Sequence, residues 1–271
     1  MKKILWAVSI SMALAPQVLA ETPQVPAPGL AAPILQPGEG FAWAAADGTF
    51  KGFGEDTKEA PMGSLAKLLW LRIEGEDWAA RRVSFKCKGE LNGVHCWNRK
   101  GHGKVDLAKA TAESCNLAFL VWSMESAERW KKDYGEGAAR YRMEQIFKPF
   151  WGTRLKAGDT LPVLGPEWIG DGDLLRTTPL NMARWLADPD QEPLLSLCKR
   201  LMGGVFDGWI TKGSEWWFKT GTAPILGDPS GTSAWVAGSN GERSVVLHLP
   251  KGRGKAEGLA RMKEILLLPK K

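Results

Sequence analysis

Three short motifs with chemically active side chains follow one another along the chain. They are Ser64-Leu65-Ala66-Lys67, Ser114-Cys115-Asn116 and Lys219-Thr220-Gly221-Thr222. A serine hydroxyl is a weak nucleophile that needs a base within hydrogen-bonding distance. Residues three apart on a helix share a face, so the amine of Lys67 is expected close to the hydroxyl of Ser64. The first motif therefore predicts acyl-transfer chemistry, with Ser64 as the nucleophile and a neutral Lys67 as its base.

The second motif has the residue types that can assist this chemistry. Ser114 and Asn116 are two apart, so in an extended loop they can point the same way. Ser114 can relay a proton to a leaving amine, and Asn116 can hold Lys67 or a substrate amide. Burial and the charge of Lys219 are both expected to lower the pKa of Lys67 and so favour its neutral form.

The third motif ends a strand-like run and is expected to bind the substrate. Lys219 and Thr220 are suited to binding a carboxylate. Gly221 allows an extended peptide to approach the strand closely and to pair with it as an added strand. The main-chain N–H of Thr222 is expected to form an oxyanion hole with that of Ser64.

The order of the three motifs carries more weight than any one of them. A second Ser-x-x-Lys sequence occurs at Ser196-Leu197-Cys198-Lys199, where it is expected to be an ordinary helix segment. A motif of two fixed residues recurs by chance in a chain of this length, whereas three motifs in one order rarely do.

The pattern of the whole chain predicts an α+β fold. Strand-like runs occur as a hairpin over 41–53, which turns at Asp47-Gly48, and over 215–220, 232–239 and 243–250. Helical patterns cover 64–72, 107–112, 117–131, 179–187, 194–202 and 254–267. We therefore expect a central antiparallel sheet flanked by helices, with a helical subdomain.

The chain resembles the transpeptidase domain of class B penicillin-binding proteins, within the superfamily that includes the serine β-lactamases. The three motifs together are its signature. The flanking segments that are similar are Cys96-Trp97 with 101–107, Ile169-Gly170-Asp171-Gly172, 178–183 and 233–238. The resemblance implies a β-lactamase/transpeptidase-like fold with its active site between the sheet and the helices. It also implies acylation by a D-Ala-D-Ala stem peptide of peptidoglycan or by a β-lactam.

Two alternatives remain open. A β-lactamase needs a base that activates water, and the Glu-x-x-Leu-Asn run of class A enzymes is missing, since Glu167 is followed by Trp168-Ile169-Gly170. Class D enzymes carry an aliphatic residue where Asn116 stands here. The other alternative is a non-catalytic accessory module that keeps the fold, and the three intact motifs count against it.

The N-terminal residues predict export. Lys2 and Lys3 precede a short apolar stretch that ends in Val18-Leu19-Ala20, as in a cleaved signal peptide. We expect a signal peptide at 1–20, a Pro/Ala-rich linker at 21–40 and one penicillin-binding domain at 41–271. The protein is then periplasmic or secreted, and membrane anchoring is the less favoured alternative.

Export permits disulfide bonds, and the four cysteines are Cys87, Cys96, Cys115 and Cys198. The tight-turn sequence Asn92-Gly93 lies between the first two, so a hairpin there brings them together. A Cys87–Cys96 disulfide is the expected arrangement. A zinc site formed by Cys87, His95, Cys96 and His102 is the less favoured alternative, because their spacing matches no standard ligand pattern.

The charge of the chain limits its partners. The formal net charge is +6, of which Lys2 and Lys3 contribute two. About +4 remains after cleavage, and the basic residues form no dense run. Nucleic acid is therefore an unexpected partner, and no cofactor or metal is expected. Peptidoglycan stem peptides, β-lactams and other proteins of the cell envelope are the expected partners.

Two aromatic features near the motifs have both a catalytic and a structural interpretation. His102, between two glycines, can be proposed as a base, but a structural role at the bend is favoured. Trp216 and Trp217 can stack on sugars, but packing in the protein core is favoured.

Overall fold

The computed structural model describes residues 32–150, 165–203, 216–225 and 227–267. The predicted signal peptide and most of the predicted linker lie outside these residues. Within them, no helix is both long and apolar enough to cross a membrane.

A five-stranded antiparallel sheet, in the order β2-β1-β11-β10-β9, forms the centre of the fold. Its strands are β1 (Gly40–Ala45), β2 (Phe50–Gly54), β9 (Trp217–Ile225), β10 (Asp228–Ser239) and β11 (Arg243–Leu249). Three two-stranded ladders complete the strands: β3 (Ala60–Pro61) with β8 (Arg176–Thr177), β4 (Ser84–Cys87) with β7 (Gly103–Asp106), and β5 (Glu90–Leu91) with β6 (Val94–His95).

Helices lie on both faces of the sheet. They are α1 (Ala66–Ala80), α2 (Leu107–Ala112), α3 (Asn116–Tyr134), α4 (Glu136–Phe147), α5 (Pro179–Ala187), α6 (Glu192–Met202) and α7 (Leu259–Leu267). The predicted antiparallel sheet flanked by helices is confirmed.

The alternation of side chains along β1 shows how the sheet separates two apolar cores. Ala42 and Ala44 face the helical region and α5, whereas Phe41 and Trp43 face α7. Successive residues of a strand point to opposite faces, so a strand buried on both sides is apolar at every position. The small residues on one face leave room for α5 to pack close to β1.

The helical region is built around α1, which is apolar on all sides and almost wholly buried over its first two turns. Trp70 of α1 stacks on Trp78 and Trp130. Glu74 is buried beside them and accepts hydrogen bonds from Trp130 Nε1 (2.9 Å) and Ser126 Oγ (2.9 Å), with Arg129 as its ion-pair partner. This packing fixes the helix that begins just after Ser64.

Several sequence predictions agree with the structure, and two differ. The hairpin at 41–53 and the helices at 107–112 and 179–187 form as expected. The predicted C-terminal helix begins instead as a π-helical turn, Gly254–Gly258, that leads into α7. Helix α4 was not anticipated, because its sequence is rich in charged residues and only three of its side chains are buried.

Candidate active site

Ser64 lies on a 3₁₀ turn, Gly63–Leu65, that leads directly into α1. Gly63 has a φ of +54°, and a Cβ there would lie 2.5 Å from the carbonyl oxygen of Thr222. Gly170 meets the other side of the turn, where a Cβ would collide with the carbonyl group of Gly63. The main chain of Thr222 and that of Gly170 therefore enclose the turn from two sides and fix the position of Ser64.

Lys67 is fully buried, and its amine lies at the centre of the site. Its Nζ is 2.8 Å from Ser64 Oγ, 2.9 Å from Asn116 Oδ1 and 3.3 Å from the carbonyl oxygen of Ile169. Burial lowers the pKa of Lys67 to about 8, since a buried ammonium loses its hydration. A neutral amine at this distance can accept the proton of the Ser64 hydroxyl.

The second motif connects α2 to α3. Asn116 is the first residue of α3 and points its amide oxygen at Lys67. Ser114 has a φ of +56°, a left-handed backbone conformation that few residues other than glycine adopt. Such strain persists only where the surroundings hold it in place.

A second lysine–serine pair joins the second and third motifs. Lys219 Nζ donates to Ser114 Oγ over 2.8 Å and to the carbonyl oxygen of Thr220 over 2.8 Å. Lys219 is buried, and burial together with the charge of Lys67 holds its pKa well below the ordinary value. Each of the two motif serines thus has a buried lysine amine at 2.8 Å, with which its hydroxyl can exchange a proton.

The third motif lies on β9, the outer strand of the sheet, which pairs with β10 on one side. Gly221 packs under the nucleophile turn, where a Cβ would lie 2.9 Å from the carbonyl oxygen of Met62. Thr222 is exposed, and its Oγ1 accepts a hydrogen bond from the N–H of Gly254 (3.1 Å). An extended peptide can add to such a strand through main-chain hydrogen bonds.

A cleft of about 880 Å³ lies in front of these groups. Five of the predicted catalytic and substrate-binding residues line it: Ser64, Ser114, Asn116, Thr220 and Thr222. Lys67 and Lys219 lie beneath its floor, both almost inaccessible to solvent. The structure therefore brings together all eight predicted catalytic and substrate-binding residues.

Several residues that line the cleft were not predicted to have a catalytic or binding role, and four of them have a charged or aromatic side chain of interest. Arg253 and Lys255 add positive charge beside the third motif, and Trp97, 56% exposed, forms an apolar part of the wall. Asp171 also lines the cleft, and desolvation raises its pKa despite the charge of Lys67. The concentration of basic residues at 251–255 could have drawn attention to Arg253 and Lys255. Only the fold shows that these two residues face the cleft.

Four other residues considered from the sequence lie outside the cleft: Ser196, His102, Trp216 and Trp217. Ser196 is on α6, where its Oγ donates to Glu192 Oε1. His102 is buried, and its ring contacts Trp97 and the sulfur of Cys96, so the structure supports the structural interpretation. Trp217 is buried and Trp216 stacks on Phe218, in agreement with packing roles.

The expected disulfide between Cys87 and Cys96 is corrected by the structure, in which both are buried free thiols. The hairpin predicted between them does form, with its turn at Asn92 and Gly93. Cys87, however, lies at the end of β4, outside that hairpin.

No protein-family model and no curated protein matches the sequence. Solved structures do match it. PBP2 of Pseudomonas aeruginosa, in complex with WCK 5153, is 14% identical with a TM-score of 0.56, over 86% of this chain and 71% of that one. A penicillin-binding protein (PBP2) from Helicobacter pylori is 15% identical with a TM-score of 0.56, over 84% of this chain and 59% of that one.

A third matching structure is that of a β-lactamase. The class D β-lactamase FUS-1 of Fusobacterium nucleatum subsp. polymorphum is 14% identical with a TM-score of 0.53, over 84% of this chain and 89% of that one. At these identities the matches concern the fold. The chain shares its fold with these two penicillin-binding proteins and with this class D β-lactamase.

Proposed function

We propose that this protein is a serine acyl-transferase of the D,D-transpeptidase or D,D-peptidase type, which acts on peptidoglycan stem peptides. The observation that carries the proposal is the position of Lys67 Nζ, 2.8 Å from Ser64 Oγ and 2.9 Å from Asn116 Oδ1. A buried amine held against a hydroxyl is a base for that hydroxyl, because burial favours its neutral form.

Acylation then follows from the contacts of these side chains. Lys67 takes the proton of Ser64 as Oγ attacks the carbonyl carbon of the scissile peptide bond. The main-chain N–H groups of Ser64 and Thr222 stabilise the negative charge that develops on the carbonyl oxygen. The proton returns to the leaving amine through Ser114, which is hydrogen-bonded to Lys219.

Substrate binding is assigned to β9 and the basic groups beside it. The substrate backbone pairs with the outer edge of β9, and its terminal carboxylate lies near Thr220 and Lys219. Arg253 and Lys255 line the same part of the protein and favour an anionic ligand. A β-lactam, which carries a carboxylate and a reactive carbonyl, fits the same requirements.

The setting proposed for this activity is the periplasm or the exterior of the cell, reached by the predicted signal peptide. A second PBP2 structure from H. pylori is a complex with MreC. By analogy, other proteins of the cell envelope are proposed partners of this chain.

Labelling with a fluorescent penicillin tests the proposal. The wild type should acquire one covalent label, and Ser64→Ala should acquire none. Ser196→Ala is the matched control, because Ser196 begins the second Ser-x-x-Lys sequence on α6 and should leave labelling unchanged. A wild type that is neither labelled nor turns penicillin over would contradict the proposal and favour a non-catalytic module. Rapid hydrolysis without an adduct would instead favour a β-lactamase.

A further inference from the structure

Three cysteines and one histidine converge just behind the second motif. The side chains are those of Cys87, Cys96, His102 and Cys115, and their potential ligand atoms all lie within 4.8 Å of one another. All four residues are between 0% and 8% exposed. We propose that they bind one zinc ion in a tetrahedral Cys₃His site, and that this ion holds the second motif in place.

The geometry fits zinc. Zinc binds cysteine sulfur at about 2.3 Å and histidine nitrogen at about 2.0–2.1 Å in tetrahedral structural sites. Tetrahedral angles with these bond lengths place sulfur and nitrogen about 3.5–3.6 Å apart. The distance from Cys96 Sγ to His102 Nδ1 is 3.5 Å. Three thiolates and an imidazole are also a ligand set that zinc prefers over harder cations such as magnesium.

The groups around the four side chains support ligation. Nδ1 of His102 faces the sulfurs, and Nε2 points towards Glu113, with Oε2 at 4.0 Å. Among the described residues Nε2 has no hydrogen-bond partner. Metal-binding histidines commonly direct their second nitrogen at a carboxylate, directly or through water.

The segment that carries the first three ligands has little else to hold it together. Residues 84–106 form two ladders of two to four residue pairs, β4 with β7 and β5 with β6. Such short ladders bury little apolar surface, and small structures of this kind are commonly stabilised by a metal. His95, which the sequence suggested as a ligand, is instead exposed on β6 with Glu90 as its neighbour. Cys115 takes its place.

The fourth ligand connects the metal to catalysis, and this part of the inference rests on the proposed function. Cys115 lies between Ser114 and Asn116, so a bond from its sulfur to zinc fixes the main chain of both neighbours. Ser114 keeps its strained left-handed backbone, and Asn116 keeps its contact with Lys67. Zinc bound to Cys115 would thus hold Ser114 and Asn116 in the positions from which they assist proton transfer.

Metal analysis of the full chain, purified without chelators, tests the site directly. We expect one equivalent of zinc per chain. After exchange for Co²⁺ we expect the intense visible bands of a tetrahedral site and a thiolate charge-transfer band of three sulfurs. Cys96→Ser and His102→Ala should lose the metal, whereas Cys198→Ser should keep it, because Cys198 is a buried cysteine on α6 outside the cluster. Metal-free wild type with a Cys87–Cys96 disulfide in peptide mapping would overturn the proposal.

Acylation by penicillin tests the link to the second motif. Removing zinc under reducing conditions should slow labelling of Ser64 about 10²-fold, and adding zinc back should restore it, while Mg²⁺ should not. Circular dichroism before and after removal shows whether the chain remains folded. Equal labelling rates with and without zinc would overturn the positioning role. Zinc bound without any labelling would leave the metal site standing and contradict the proposed function instead.

Discussion

Lys219 donates a hydrogen bond to Ser114 over 2.8 Å, although the two residues are 105 positions apart in the chain. This contact joins the edge of the sheet to the helical region, and the cleft lies above it. The lysine is buried and its pKa is lowered, so the pair can pass a proton without exposing a fixed charge to the cleft.

The pKa of Lys67 sets the pH dependence of acylation. Only the neutral amine accepts a proton, and burial brings its pKa to about 8. The acylation rate should therefore rise about tenfold per pH unit below pH 8 and level off above it. Stopped-flow measurement of penicillin labelling from pH 6 to pH 9 checks this. A rate that falls over the same range would show that the charged form is the active one.

Removal of the amine should cost most of the rate. Lys67→Ala deletes the base, and general-base catalysis contributes about 10²–10⁴-fold. Lys199→Ala is the matched control, since Lys199 ends the second Ser-x-x-Lys sequence on α6. Circular dichroism should show both variants folded. Equal losses in the two variants would count against the role of Lys67.

The two roles of Ser114 can be separated with two substitutions. Ser114→Ala removes the hydroxyl and keeps the backbone strain, whereas Ser114→Gly removes both, because glycine adopts positive φ without cost. We expect Ser114→Gly to melt at a higher temperature than Ser114→Ala. Both should be acylated at least about tenfold more slowly than the wild type. A Ser114→Gly variant with full activity would mean that the hydroxyl is dispensable.

Gly63 is expected to tolerate no side chain. A Cβ there would meet the carbonyl oxygen of Thr222 at 2.5 Å on a backbone with φ of +54°. Gly63→Ala should lower the melting temperature and abolish labelling of Ser64. Gly137→Ala in α4 is the control: nothing lies within 4 Å of its added Cβ, and alanine favours a helix. Its melting temperature should be unchanged or slightly higher.

The penicillin adduct should be long-lived. In the described residues, Lys67 hydrogen-bonds with Ser64, Asn116 and a main-chain carbonyl, and no carboxylate contacts it. Lys67 is therefore not paired with a carboxylate that could help it activate water, and the adduct should persist for many minutes once free drug is removed. Mass spectrometry over time checks this. If the adduct disappears within seconds, Asp171→Asn would test the carboxylate of the cleft as the base.

The proximity of the residues in the candidate active site could be predicted from the sequence because much of the information is local. Ser64 and Lys67 are one helical turn apart, and the order of the motifs identifies their partners. The cluster of Cys87, Cys96, His102 and Cys115 could not be predicted in the same way. Cys87 and Cys115 are 28 positions apart, and they meet only because β4 pairs with β7 and α2 reverses the chain. Asn92-Gly93 correctly predicted the turn, but the hairpin exposes His95 to solvent. The fourth member of the cluster is Cys115 instead.

Helix α4 was also not predicted from the sequence. Charged residues separate its three buried side chains, so no apolar face is continuous enough to be read from the sequence. Arg253 and Asp171 could not be predicted as cleft residues either, because only the folded chain places them in the same cleft as Ser64.

The turn that carries Ser64 is enclosed by the main chain of Thr222 on one side and by Gly170 on the other. Contacts between two backbones place almost no demand on which side chains surround them, apart from the glycines at the points of contact. Most of the surrounding residues can therefore change during evolution while Ser64 keeps its position relative to the sheet. This offers a physical reason why the chain can share the fold of solved structures at 14–15% identity while no family model matches its sequence.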